Sequence, residues 1–174
     1  EGGKRVGEAI GAITSAGIPV MGHIGMTPQS VHQFGGFKVQ GRGTEGAIQA
    51  IIDDALAVES AGAFSVVLEC VPMELAAEIT ERLSIPTIGI GAGPHCDGQV
   101  LVMHDLLGLN PGSKYKFVRR YAELGLATLE AVQHYATDVV EGKFPVESES
   151  FHAVSDVDKI SRYHTGHDSI SRAS

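Results

Sequence analysis

The chain has 174 residues, 43% hydrophobic and 20% charged, with 22 glycines and a formal net charge of −8 at pH 7. That length and apolar content suit one domain with its own core and exclude a disordered or collagen-like chain. No apolar run reaches the ~20 residues of a membrane helix, and the acidic balance argues against a nucleic-acid partner. Cys70 and Cys96 are too few for a disulfide framework and suit a reducing compartment. The sequence opens at Glu1 with neither Met nor a leader-like segment, and reads as a piece of something longer.

In chain order, the spacing predicts a helix over Lys4 to Ala16 closed by Gly17, then a strand over Ile18 to His23. Pro19 can begin a strand but cannot sit inside a helix. A second helix starts after Thr44 as N-cap, presents Ile48, Ile51, Ile52, Ala55 and Leu56 on one face, and stops at Gly62. The unalternating run Ala63 to Glu69 reads as a strand buried on both faces. Pro72 is placed as the first residue of a third helix with Leu75, Ala76, Ile79 and Leu83 inward, followed by a strand over Ile85 to Gly91. Helix and strand alternating with short links imply parallel pairing with right-handed crossovers, and the fold class is α/β, in units of a (β/α) barrel. Val100 to Leu109 suits a short helix or a last strand. Phe117 to Glu141 reads as a helix striped by Val118, Tyr121, Gly125, Leu129, Val132, Ala136 and Val139, ended by Gly142. Residues 1–145 form the expected domain, and 146–174 a Ser- and His-rich tail, weakly packed or ordered by a neighbouring subunit.

A parallel barrel does its chemistry at the C-terminal ends of its strands. That rule selects His23, Glu69 and the turn Gly89 to Gly93. Glu69, carried to the edge of an apolar core behind Val66, Val67 and Leu68, is partly desolvated, which suits a general base; a helix-capping or Arg-paired carboxylate is the alternative. His23, between Gly22 and Gly25, is either a ligand contact or a core histidine bonded to a carbonyl. The Gly89 to Gly93 turn lacks the third glycine of a dinucleotide fingerprint, since Pro94 stands there; it reads as a close-approach turn. The long loop Thr27 to Gly43, with Phe34, Phe37, Lys38 and Arg42, suits a lid or a subunit contact. His95, Cys96, His104 and Asp105 match no standard zinc spacing. Glu1 stands alone.

Three stretches carry a resemblance: GHIGMTPQSVHQFGGFKVQGRG (Gly22 to Gly43), VLECVPMELA (Val67 to Ala76) and IGIGAGPHCDGQVLVMHDLLG (Ile88 to Gly108). They resemble the ketopantoate hydroxymethyltransferases over Glu1 to about Phe144. The resemblance implies a (β/α)8 TIM barrel of the phosphoenolpyruvate/pyruvate type, of which this chain supplies roughly the C-terminal half. It also implies a homodecamer. The implied reaction moves a one-carbon unit from 5,10-methylenetetrahydrofolate to α-ketoisovalerate, giving ketopantoate for pantothenate and coenzyme A synthesis, with Mg²⁺ as Lewis acid on the keto acid.

By motif, the resemblance makes Glu69 in LECVP the catalytic base, His23 in GHIG a substrate contact, and Glu1 in EGG a metal-site carboxylate. In the family, two metal-binding aspartates and a substrate-binding serine and lysine precede the EGG motif. The expectation is therefore an upstream half, without which these residues alone do not turn over substrate. Two alternatives stand beside the transferase. One is a Mg²⁺-dependent lyase or mutase of the same barrel group acting on an α-keto acid. The other is a truncated, non-catalytic subunit of an oligomer. The resemblance places bacterial members in the cytoplasm, the preferred compartment here, and eukaryotic ones in the mitochondrion.

Overall fold

The computed structural model describes residues 1–32, 35–110, 112 and 115–152. The chain divides into two units, Glu1–Glu123 and Leu124–Ser174. Phe34 of the expected lid, and residues 153–174 of the expected tail, lie outside the described residues.

The first unit is α/β. Its strands β1 (Met21–Gly25), β2 (Ser65–Glu69), β3 (Thr87–Ile90) and β4 (Gly98–Gln99) form one sheet in the order β1-β2-β3-β4. Every pairing is parallel. Helices α1 (Gly7–Ser15), α2 (Glu45–Ser60) and α3 (Met73–Arg82) precede or join the strands, and α4 (Met103–Leu106) follows β4. The four strands are half the number of a closed eight-stranded barrel.

Register divides the sheet into two faces. Gly22 pairs Val66 and Ile24 pairs Leu68, and Ile24, Val66 and Leu68 are fully buried with Ile52, Ala55 and Val58 of α2 and Ala76 and Ile79 of α3. At Gly22 the β1 backbone comes close to α2: a Cβ there would stand 2.2 Å from Val58 Cγ1. The other face carries His23, Val67 and Ile88, all only half-buried. The expectation that β2 is buried on both faces holds in part: among the described residues Val66 and Leu68 are fully buried on the helix side, while on the other face Ser65 is buried and Val67 and Glu69 are half-buried.

Thr44 caps α2 as the sequence signals, its hydroxyl accepting from Ala47 N at 3.2 Å. At the other end Gly62, with φ +92°, donates its N–H to Glu59 O and lets Ala63 N–H reach Val58 O, a helix stop that a left-handed glycine makes cheap. Val58 is the most buried residue of that helix, whereas Ile48 and Leu56 sit on the exposed margin of the expected stripe. Pro72 caps α3 with an extended ψ of 140° and does not begin it.

Three further boundaries move. Strand β1 starts three residues and ends two residues later than Ile18 to His23, because its pairing with β2 fixes it over Met21–Gly25. The span Val100 to Leu109 holds the short α4. The long helix starts at Leu124, as α5 (Leu124–Val140), not at Phe117. Residues 117–123 form tertiary hydrogen bonds in place of helical ones: Tyr121 N–H donates to Leu106 O at 2.9 Å, and Arg120 Nη2 to Asn110 O at 2.6 Å. Within the second unit, α5 buries no residue, and Leu129, Val132 and Val139 of its stripe are exposed. No helix among the described residues is long and apolar enough to cross a membrane.

Asp97 fastens the start of β3. Its Oδ2 accepts from Thr87 N at 2.8 Å and from Thr87 Oγ1 at 3.1 Å, and those bonds hold its carboxyl below the usual carboxylate range. A lowered folded-state value contributes stability above the unfolded-state value, lost as pH falls through the folded one. Urea unfolding of the protein is therefore expected to weaken below about pH 4. The Asp97→Asn variant should show a shallower fall over the same acid range, and an identical pH slope in the variant would refute the assignment.

Candidate active site

The strand ends that face away from the helices bring His23 and Glu69 together. Glu69 is the last residue of β2 and pairs in register with Gly25, two residues beyond His23 on β1. Side chains two apart on one strand share a face, so His23 reaches Glu69 diagonally. His23 Nε2 stands 2.9 Å from Glu69 Oε2, with side-chain exposures of 18% and 12%. The carboxylate lies off the N–H direction, and Nε2 is buried with no directed hydrogen bond. A buried donor in that state points to a ligand. His23 thus lies inside β1 and not at its end, a correction that follows from the two-residue shift of the strand's end.

The backbone around this pair is fixed from four sides. Gly2 N–H donates to His23 O at 2.9 Å, which lays Glu1 beside β1, and Met26 N–H donates to Glu69 O at 2.8 Å. Cys70 N–H donates to Ile90 O, and Gln40 N–H to Cys70 O, both at 2.9 Å. Cys70 adopts φ +51°, an uncommon conformation for a non-glycine residue, and it turns the chain sharply after Glu69. Burial pushes the Cys70 thiol up, and the Glu69 charge adds to it, so this cysteine is a poor nucleophile.

Glu1 approaches from the open side, its Oε1 3.6 Å from His23 Nδ1 and its side chain half exposed. That separation is an electrostatic contact and not a hydrogen bond. Among the described residues no three His, Cys, Asp or Glu side chains converge as a metal site.

A cavity of about 320 Å³ opens beside Glu69, lined among others by Met26, Phe37, Cys70, Ile90 and Phe117. Its size is that of a small-molecule site. Phe37 and Lys38 of the Thr27 to Gly43 loop form part of its wall. The loop is anchored further along at Gly41, where a Cβ would stand 2.5 Å from Leu75 Cδ2. Tyr115, Lys116 and Phe117 also line the cavity; sequence reasoning missed them by placing Phe117 at the start of a helix. The signal was the glycine turn. Gly91, at φ +68°, holds the place where Phe117 packs, since a Cβ there would lie 2.9 Å from the ring.

A family model described as ketopantoate hydroxymethyltransferase matches residues 1–147. Curated relatives named 3-methyl-2-oxobutanoate hydroxymethyltransferase include one from Citrifermentans bemidjiense, 62% identical over 151 residues, covering 87% of this chain and 56% of the relative. One from Pelobacter propionicus is 58% identical, covering 87% of this chain and 55% of the relative. One from Mycobacterium ulcerans is 59% identical, covering 87% and 50%. The chain spans about half the length of the curated relatives it matches.

Proposed function

The chain belongs to the ketopantoate hydroxymethyltransferase family, and we propose that it forms the catalytic-base side of a transferase acting on α-ketoisovalerate. The barrel of that enzyme is completed by a segment outside these 174 residues, and the 174 residues alone do not turn over substrate. The observation that carries the reading is the pair His23 and Glu69: a buried Nε2 without a directed hydrogen bond stands 2.9 Å from a strand-end carboxylate, and Glu69 lines a small-molecule cavity.

In this reading Glu69 accepts the C3 proton of the keto acid. Its position at the end of β2 and its low exposure keep bulk water from competing for that proton. His23 Nε2 donates to a substrate oxygen and holds the keto acid against Glu69. The C3–H electron pair becomes the new bond from C3 to the one-carbon unit of 5,10-methylenetetrahydrofolate. Water supplies the hydroxyl oxygen, and tetrahydrofolate leaves, giving ketopantoate for pantothenate and coenzyme A synthesis.

The described residues by themselves do not fit a Mg²⁺ site, which asks for near-octahedral oxygen ligation. Glu1 is one carboxylate toward such an ion, and the remaining ligands belong to the same missing portion of the barrel. A second copy of the enzyme, in a homodecamer, is the proposed assembly partner, and the cytoplasm the proposed compartment.

The test is proton exchange at C3 of α-ketoisovalerate in D2O, followed by NMR on the full-length protein, alongside folate-dependent ketopantoate formation. Exchange together with folate-dependent product is expected. Turnover of the keto acid without folate would favour a lyase of the same barrel group, and neither activity would favour a non-catalytic subunit.

A further inference from the structure

The cavity beside Glu69 has a second wall that the proton transfer does not use. The Tyr115 and Phe117 rings stack with centroids 5.7 Å apart and an interplanar angle of 16°, and Phe37 lines the same cavity. Phe117 is held in place by its close packing on Gly91, whose missing Cβ leaves room for the ring. A pre-positioned aromatic wall loses little conformational freedom when a flat ring lies against it.

Asp105 lies on the same cavity with Lys38 and Lys116. Asn110 Nδ2 donates to its Oδ1 at 3.1 Å, and its main-chain N–H donates to Val102 O at 3.0 Å. That anchoring presents an acceptor-only group to the cavity. Among the described residues no cation forms an ion pair with it. A carboxylate lining the same cavity as a stacked aromatic pair is suited to a planar ligand with two adjacent N–H donors, the same two-point match it makes with a guanidinium. The two lysines suit an anionic extension of that ligand.

We propose that this wall binds the one-carbon donor: a reduced pterin ring stacked along Tyr115 and Phe117, its amino-pyrimidinone edge donating to Asp105, its carboxylate tail meeting Lys38 and Lys116. The assignment rests on the transferase reading above and names the donor side of that site. Because Glu69 lines the same cavity, a ring seated there carries its one-carbon unit beside the carbon that Glu69 deprotonates.

The experiment uses the full-length enzyme with tetrahydrofolate as probe, titrated by fluorescence. C3 exchange of α-ketoisovalerate without folate is measured in parallel. Asp105→Asn reverses one point of the match and is expected to weaken tetrahydrofolate binding about 10–100-fold. Phe117→Ala removes stacking and should cost about tenfold. In both variants the folate-free exchange and the KM for the keto acid change far less than the tetrahydrofolate affinity, and Gly46→Ala, exposed on α2, is the control that leaves all three unchanged. Lys116→Gln is expected to weaken tetrahydrofolate but not a pterin lacking the carboxylate tail.

Unchanged tetrahydrofolate affinity in Asp105→Asn and Phe117→Ala, with intact exchange, overturns this assignment alone. So does a parallel fall of exchange and donor binding, which would make the wall part of the keto-acid site. Absence of both exchange and tetrahydrofolate binding in the unsubstituted enzyme overturns the transferase reading, and this assignment with it.

Discussion

Glu69→Gln in the full-length enzyme is expected to lower kcat by roughly 10²–10⁴ while leaving the KM for α-ketoisovalerate nearly unchanged. The carboxamide has the shape of the carboxylate but cannot accept the C3 proton. What Glu69 does for the fold passes through its main chain, whose carbonyl accepts from Met26 N–H, and the substitution leaves that bond in place. Thermal unfolding should therefore be nearly that of the unsubstituted enzyme, which separates loss of chemistry from loss of structure. Proton exchange at C3 should fall with kcat, because both need the same base. Glu69→Asp keeps the charge but withdraws it by one methylene from the 2.9 Å approach to His23, so an intermediate rate is expected. Steady-state kinetics with both substrates, and the exchange rate by NMR, check these outcomes; near-normal turnover in Glu69→Gln would remove it from the role.

Local signals carried the parts of the fold that depend on neighbours in sequence. Thr44 and Gly62 mark the ends of α2 because capping and the left-handed stop act within a few residues. The run behind Glu69 reads as β2 because apolar β-branched residues cluster there. Glu69 was legible for that reason: a lone acid after such a run has one place to go, the strand end. His23 was legible as a candidate but was misplaced along β1, since register comes from the partner strand and not from Pro19.

The aromatic wall was hidden by the same limit. Phe117 reads as the start of a helix striped by Val118 and Tyr121, but Arg120 and Tyr121 bond to Asn110 and Leu106. Such tertiary bonds leave no periodic trace in the sequence. Glu1 had no local signal at all; its approach to His23 depends on Gly2 bonding to the β1 backbone.

The other large effect is expected from a residue with no functional group. Gly25 ends β1 opposite Glu69, is buried, and adopts φ +90°. A Cβ there would stand 2.2 Å from Glu69 O and 2.9 Å from Val71 Cγ2. Gly25→Ala thus forces a left-handed conformation on an L-residue and drives a methyl into the strand end, together costing about 2–5 kcal/mol. The carbonyl cannot move away without breaking its bond from Met26 N–H, and moving it displaces the Glu69 carboxylate from His23. A misplacement of ~1 Å at a reacting group costs about 10²-fold in rate, so activity should fall even where the variant remains folded. Gly46→Ala is the matched control: its Cβ meets nothing within 4 Å on exposed α2, and alanine there should stabilise the helix by roughly 0.5–1 kcal/mol. Urea midpoints and kcat measured below both unfolding transitions distinguish the two variants. If Gly25→Ala matched Gly46→Ala in both, the tight pairing of β1 with the Glu69 backbone would not be what holds the base in place.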